Sequence, residues 1–194
     1  MSPVRKQPIA PRAFGSVAEA DRVFTAAARP WAEALTPDER GVLDDYKGDL
    51  GWAINAVLRG DATVPGLGGR AATLARAVAR AECPEDVRLY RGVGEDEAAT
   101  LRAAEAGAVM SRPAFMSTTL SRRVARKLGR KVPFLVEVLV RRGTRGAAYV
   151  HPFPSERFRQ YEMLLRPGMA MRVVSVGAAG IVLEALDGPD GDDY

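Results

Sequence analysis

Four polar side chains interrupt segments that otherwise read as β-strands. They are Arg91 in VRLYRGV (87–93), Ser117 in AFMSTTL (114–120), and the pair Gln160 and Glu162 in RQYEMLL (159–165). The two-residue period of a strand puts Leu89, Arg91 and Val93 on one face of the first. It sends Gln160 and Glu162 to one side of the third, with Tyr161 and Met163 on the other. Taken singly, each has an ordinary explanation. A strand arginine usually sits at an edge with its head in water, a hydroxyl cluster can be a strand end before a helix cap at Ser121, and a Gln/Glu pair can be a solvated face. The chemistry open to them is nonetheless specific. A guanidinium offers a planar donor fork that grips phosphate better than a lysine does. A serine hydroxyl both donates and accepts, so Ser117 can orient another polar group in a cleft. Their conjunction, in this order on successive strands of one small domain, favours the joint reading.

The elements that must position these groups follow from periodicity and punctuation. The first 85 or so residues read as helices. SVAEADRVFTAAARPWAEAL opens with Ser16 and Glu19 in capping-box spacing, and Pro30 is expected to break or kink it. TPDERGVLDDYKG repeats the start signal with Thr36, Pro37 and Glu39. DLGWAINAVLRG puts Leu50, Ile54, Val57 and Leu58 on one apolar face and ends at Gly60, and RAATLARAVARA makes a fourth helix. After Cys83 the pattern changes to strands at 87–93, 114–120, 133–140, 159–165, 171–176 and 180–186, with helical insertions EDEAATLRAAEAG and SRRVARKLG between the early ones. RRGTRGAAYVHPFPSER is expected to be a long loop with one short strand, and long loops in compact domains are often functional. The fold class is α+β, a helical half packed on a strand-rich half. Residues 1–13 are expected to be a disordered arm, 14–186 one domain, and 187–194 a frayed acidic tail.

Composition narrows the chemistry. The 194 residues, 47% hydrophobic and 27% charged, suit one soluble domain with a sizeable core. One cysteine, Cys83, permits no intrachain disulfide, and with His151 as the lone histidine a zinc cluster is not expected. No calcium-loop spacing is present, so no metal is expected. The N-terminus is basic, but Pro3, Pro8 and Pro11 interrupt it and no apolar run follows, which fits neither a signal peptide nor a membrane span. Charge is unevenly spread: from Arg112 to Arg172, fourteen Lys and Arg outnumber three acids, although the chain as a whole carries only +4.

The three polar interruptions also carry a resemblance. LYRGV is similar to the aromatic-Arg-Gly strand of the Arg-Ser-Glu class of mono-ADP-ribosyltransferases, the fold of the clostridial Rho-modifying and actin-modifying exoenzymes. FMSTTLS is similar to that family's Ser-Thr-Ser strand, with Ser117 first and Thr119 in place of the last serine. QYEMLLRPG resembles its Gln/Glu-x-Glu motif. LTPDERGVLDDYKGDLGWAINAVLRG looks like its helical segment, whose aromatic and Asn positions would be Tyr46, Trp52 and Asn55. The resemblance spans about Phe14 to Leu186. It implies a helical half packed on two small, roughly perpendicular antiparallel or mixed sheets, and a reaction that cleaves NAD at the nicotinamide ribose and transfers ADP-ribose.

On that resemblance, Glu162 would stabilise the oxocarbenium character that builds on the ribose, as carboxylates do in glycoside hydrolysis. One carboxylate would suffice, because nicotinamide departs neutral from a pyridinium. Arg91 would hold the diphosphate, Gly92 would let the backbone approach nicotinamide, and Ser117 would fix the Glu162 rotamer, with Thr118 beside it. Gln160 would meet the acceptor; in this family Glu at that position goes with arginine acceptors and Gln with others, so a non-arginine acceptor such as Asn or Gln is expected. Phe158 would contact the target. Where the family packs a second aromatic on nicotinamide this chain has only Leu128, and Arg130 is the alternative phosphate contact. The expected partners are NAD and a macromolecular acceptor, a protein first and nucleic acid second given the basic region, together with an immunity protein. The expected setting is a delivered toxin or effector working in a target-cell cytosol. An NAD glycohydrolase and an inactive fold relative are the competing readings.

Overall fold

A computed structural model describes residues 10–128, 134–153, 160–177 and 180–186. The helical half begins with α1 (Val17–Glu33), where the Ser16 hydroxyl accepts from the Glu19 N–H at 3.1 Å. The return arm of the expected box goes to the Gly15 N–H instead, at 2.8 Å from Glu19 Oε2. Pro30 does not end the helix. It lies one turn from the terminus, where its missing N–H costs a single intrahelical bond. In α2 (Pro37–Asp45) the capping box closes fully: Thr36 Oγ1 accepts from Glu39 N–H at 3.2 Å and Glu39 Oε2 accepts from Thr36 N–H at 2.9 Å. Both Arg80 Nη groups reach Glu39 at 2.9 Å, which ties α2 to Arg80 and holds the pKa of the Glu39 carboxyl below the usual carboxylate range.

Between α2 and α3 (Gly51–Arg59) the chain makes a π-helical turn, Tyr46–Leu50. Two glycines build it. Gly48 leaves helical geometry at φ −87°, ψ −123°. A Cβ on Gly51 would lie 2.4 Å from the Tyr46 carbonyl oxygen, so only glycine admits this approach. The left-handed Gly60 (φ +79°) closes α3, and α4 (Leu67–Ala79) packs back on it.

The strands are β1 (Val87–Val93), β2 (Val109–Ser111), β3 (Met116–Thr119), β4 (Phe134–Val140), β5 (Ala147–Tyr149), β6 (Glu162–Leu165), β7 (Ala170–Gly177) and β8 (Gly180–Ala185). Helices α5 (Glu95–Ala103) and α6 (Arg122–Leu128) are the two insertions, and Ser121 Oγ caps α6 by accepting from Val124 N–H at 3.3 Å. The strand order is β2-β7-β8-β4-β1-β3-β6-β5. All pairings are antiparallel except β4 with β8. The fold is α+β as the sequence implies. The two expected sheets are, however, hydrogen-bonded into one ladder of eight strands, joined in the middle by a single register pair, Tyr90 opposite Thr119. β2 has no counterpart among the expected strands, and β5 is the short strand expected in the long loop.

β6 decides how the halves meet, since it is buried along its length. Met163 and Leu165 belong to the core shared with α1, β1 and β4, whereas Leu164 belongs to the core of the helical half with Tyr46, Ile54 and Leu74. Period two therefore sends Glu162 toward the helices, with Leu164. At the start of β3, Phe115 just before the strand likewise packs in the helical core and Met116 in the other, so Ser117 shares the Glu162 face. At the N-terminus the end of the expected arm is pinned: Arg12 N–H donates to Asp86 O at 2.8 Å and its guanidinium pairs with Glu85 at 2.7 Å. Residues 1–9 and the tail 187–194 lie outside the described residues.

Candidate active site

Glu162 and Ser117 meet across the β3–β6 seam. In register Glu162 stands opposite Thr119 and Ser117 opposite Leu164, so the two are diagonal neighbours on the helical face. Ser117 Oγ donates to Glu162 Oε1 at 2.5 Å, the short separation expected of a hydroxyl donating to a carboxylate. Glu162 is only 7% exposed. Burial pushes the pKa of its carboxyl up, and the Ser117 bond and the nearby Lys47 charge pull it back down.

Arg91 reaches the same place from β1. Its Nη1 donates to the Ser117 carbonyl at 2.9 Å, and its Nε lies 3.5 Å from Glu97 Oε1, which Arg112 Nη1 also approaches at 2.9 Å. One prong of the fork is thus a strut between β1 and β3, while Nη2 has no partner among the described residues. That free edge is what an anion would use. Gly92 follows in β1, opposite Leu135.

The helical half closes the site. Tyr46 is buried with its ring 5.3 Å from that of Phe115. Asn55 links them: its Nδ2 donates to Tyr46 Oη at 3.0 Å and its Oδ1 accepts from Phe115 N–H at 3.0 Å. Burial raises the Tyr46 phenol, and the Glu162 charge raises it further. Tyr46 therefore stays protonated beside the carboxylate. Arg59, one turn beyond Asn55 on α3, opposes that rise with its positive charge.

Several expected residues lie elsewhere. Thr118 is 3% exposed and its hydroxyl donates to Met163 O at 2.7 Å, because strand alternation turns it away from the Ser117 face. Trp52 is 80% exposed on the first turn of α3, outside the packed cluster that holds Tyr46 and Asn55. Gln160 lies before β6 rather than within it, since Tyr161 adopts φ +50° and interrupts the strand. Two-residue alternation therefore does not place Gln160. Its carbonyl is held by Thr119 Oγ1 at 2.5 Å, which leaves the residue half-buried at the entry to the strand. Phe158 and Arg130 lie outside the described residues, as does the Leu128 side chain. Residues that the polar-strand pattern does not reveal are Lys47, Arg59, Glu97 and Arg112. Among the described residues no group of His, Cys, Asp or Glu is placed to hold a metal ion, and no helix is long and apolar enough to cross a membrane.

A carboxylate held by a serine, a guanidinium strut from β1 and an Asn-tethered tyrosine thus converge where β3 and β6 meet the helical half of a small α+β scaffold. The family model for ADP-ribosyltransferase exoenzyme matches residues 24–186, and the chain belongs to that family. Solved structures agree on the fold. The chain is similar to an ADP-ribosyltransferase from Clostridium botulinum (TM-score 0.72, 17% identity, covering 91% of this chain and 98% of that one). It is similar also to Plx2a, an ADP-ribosyltransferase toxin from Paenibacillus larvae (0.70, 20% identity, 88% and 96%). A third match is the ADP-ribosylating toxin BECa of C. perfringens with NADH (0.70, 18% identity), where 88% of this chain spans about half, 48%, of the other. A comparison with curated protein sequences returned no match.

Proposed function

We propose that the chain cleaves NAD at the nicotinamide ribose and transfers ADP-ribose to a non-arginine side chain of a target protein, as a toxin or effector delivered into another cell. The observation that carries this reading is the Ser117 Oγ to Glu162 Oε1 bond of 2.5 Å, made by a buried carboxylate, with Arg91 fastened to the Ser117 carbonyl. Breaking the bond between ribose C1′ and the pyridinium nitrogen sends the electron pair to nitrogen, so nicotinamide leaves neutral. Positive charge is left on C1′ and the ring oxygen. A fixed carboxylate at low dielectric stabilises that charge far more than it would in water. Ser117 holds the carboxylate in one orientation, so no reorganisation is needed as charge develops. The acceptor then bonds C1′ and loses its proton.

Arg91 supplies the free edge of its fork to the diphosphate, and Gly92 leaves room for nicotinamide beside β1. Tyr46 and Asn55 wall the cleft from the helical side. Gln160, at the entry to β6, meets the acceptor. An amide neither attracts nor deprotonates a guanidinium, which supports an acceptor other than arginine. Phe158 lies in the chain leading to Gln160 and belongs to the same reading, as does Arg130 for phosphate. The strongly basic stretch from Arg112 to Arg172 would draw in NAD and an acidic target surface. The toxin names of the structural neighbours support delivery into a target cell, where an immunity partner would protect the producer.

Labelled NAD incubated with a cell lysate tests this. Wild type should label a macromolecule and release nicotinamide; Glu162→Ala should do neither, and Gln160→Ala should lose more transfer than hydrolysis. Label mapped to arginine side chains would refute the acceptor assignment. Nicotinamide release without macromolecular label would make the chain an NAD glycohydrolase, and label on nucleic acid would replace the protein acceptor.

A further inference from the structure

Lys47 lies in the π-helical turn, next to Tyr46, yet its side chain serves a segment more than a hundred residues away. Its Nζ donates to the carbonyls of Val150, His151 and Phe153 at 2.9, 3.0 and 2.6 Å. These carbonyls begin the chain that runs through 154–159 into Gln160 and Glu162. Two further contacts connect them to the catalytic strand. Val150 N–H donates to Glu162 O at 3.0 Å, extending the β5–β6 ladder by one bond. The His151 ring packs, tilted by 44°, with its centroid 5.0 Å from that of Tyr161, the residue held at φ +50° immediately before Glu162. A non-glycine residue there costs about 1–3 kcal/mol, so neighbouring structure must impose it.

We propose that Lys47 is the positioning residue of this site: by gathering three carbonyls after β5 it anchors the kink at Tyr161 that presents Glu162 and sets Gln160 before it. The turn is built for that task. Gly48 and Gly51 allow the π-helical geometry that points Tyr46 into the core and Lys47 toward the loop, and π turns are frequent at functional sites. A compact ammonium suits carbonyls that converge on one point, whereas a planar guanidinium does not. The inference rests on the NAD reading for its kinetic consequences, although its structural consequences can be measured without NAD.

The polar and charged groups around Glu162 come from five places. Lys47 and Tyr46 face it from the turn, and Arg59 from α3 acts through Tyr46. Ser117 faces it from β3, Arg91 acts from β1, and His151 stands behind Tyr161 in the loop after β5. Of these, Lys47 is the cation whose charge counters the burial of the carboxylate. Removing it should push Glu162 further up.

The test compares Lys47→Met and Lys47→Arg with wild type. It uses carbon-detected NMR titration of the Glu162 carboxyl, amide exchange at Val150, and the kinetics of nicotinamide release and label transfer. In Lys47→Met, Glu162 should titrate at higher pH and the acid limb of kcat should move with it. Val150 exchange should quicken by about tenfold or more, and kcat should fall by about tenfold with little change in KM for NAD. Lys47→Arg keeps the charge, so the Glu162 titration should stay near wild type, while Val150 exchange quickens and the transfer-to-hydrolysis ratio drops. A folded Lys47→Met with wild-type titration and exchange overturns the inference. So does Lys47→Arg with wild-type exchange and partition, which decides the matter even where the methionine variant does not fold. A wild type that releases no nicotinamide would sink the NAD reading alone, since titration and exchange still report on Lys47.

Discussion

Ser117→Ala isolates one interaction with a calculable consequence. The substitution removes the hydroxyl that donates to Glu162 Oε1 at 2.5 Å but keeps the backbone carbonyl on which Arg91 is fastened, so the strut between β1 and β3 survives. Hydrogen bonds to charged groups are worth about 1.5–3 kcal/mol. If the whole of that is felt as charge develops on the ribose, kcat falls roughly 10- to 150-fold. KM for NAD should change little, because the bond acts on the transition state more than on bound substrate. The pH dependence has a definite sign. Burial raises the Glu162 carboxyl and the Ser117 bond lowers it, so losing the bond moves ionisation to higher pH. Since only the anion stabilises the ribosyl cation, the acid limb of kcat should shift toward neutral pH. Steady-state nicotinamide release across the acid to neutral range measures both effects. A kcat within about twofold of wild type, with an unmoved limb, would refute the claim that Ser117 governs the carboxylate.

Two further expectations concern the carboxylate itself and the turn that faces it. Glu162→Gln should cut kcat by about 10²–10³-fold or more while raising thermal stability at neutral pH. The folded carboxyl titrates above its unfolded value, so wild type loses stability as pH rises from the ordinary carboxylate range through the folded value; the glutamine variant does not. Melting curves that run parallel from acid to neutral pH would contradict this. Gly51→Ala places a Cβ against the Tyr46 carbonyl at 2.4 Å and should cost about 1–3 kcal/mol, with loss of NAD cleavage as the turn shifts. Gly41→Ala in α2, where a Cβ meets nothing within 4 Å, should instead stabilise by about 0.5–1 kcal/mol, and equal melting of the two variants would count against the clash.

Much of the architecture is legible in the sequence because it is local. The capping box of Thr36 and Glu39, the stop at Gly60 and the alternation in β1, β4, β7 and β8 each depend on residues a few positions apart. So does the ordering of Arg91, Ser117 and Glu162 on separate strands. The departures share one cause. Period two places Gln160 on the Glu162 face, but Tyr161 at φ +50° ends the alternation, and no residue near Tyr161 announces it. Thr118 lies in the same hydroxyl run as Ser117, and only the packing of β3 against β6 shows that its hydroxyl is spent on Met163. Trp52 falls between Tyr46 and Asn55 along the chain, yet the π-helical turn leaves it in solvent.

The sequence alone determined the kinds of element, their order, and which polar side chains interrupt the apolar runs, since these are properties of neighbours along the chain. Tertiary structure alone decided that β1, β3 and β6 lie side by side, that the helical half covers the Glu162 face, and that Lys47 reaches the carbonyls after β5. Those are contacts between residues dozens to more than a hundred positions apart. Local propensity carries no information about such pairs, because what brings them together is burial of surface that the whole chain must share.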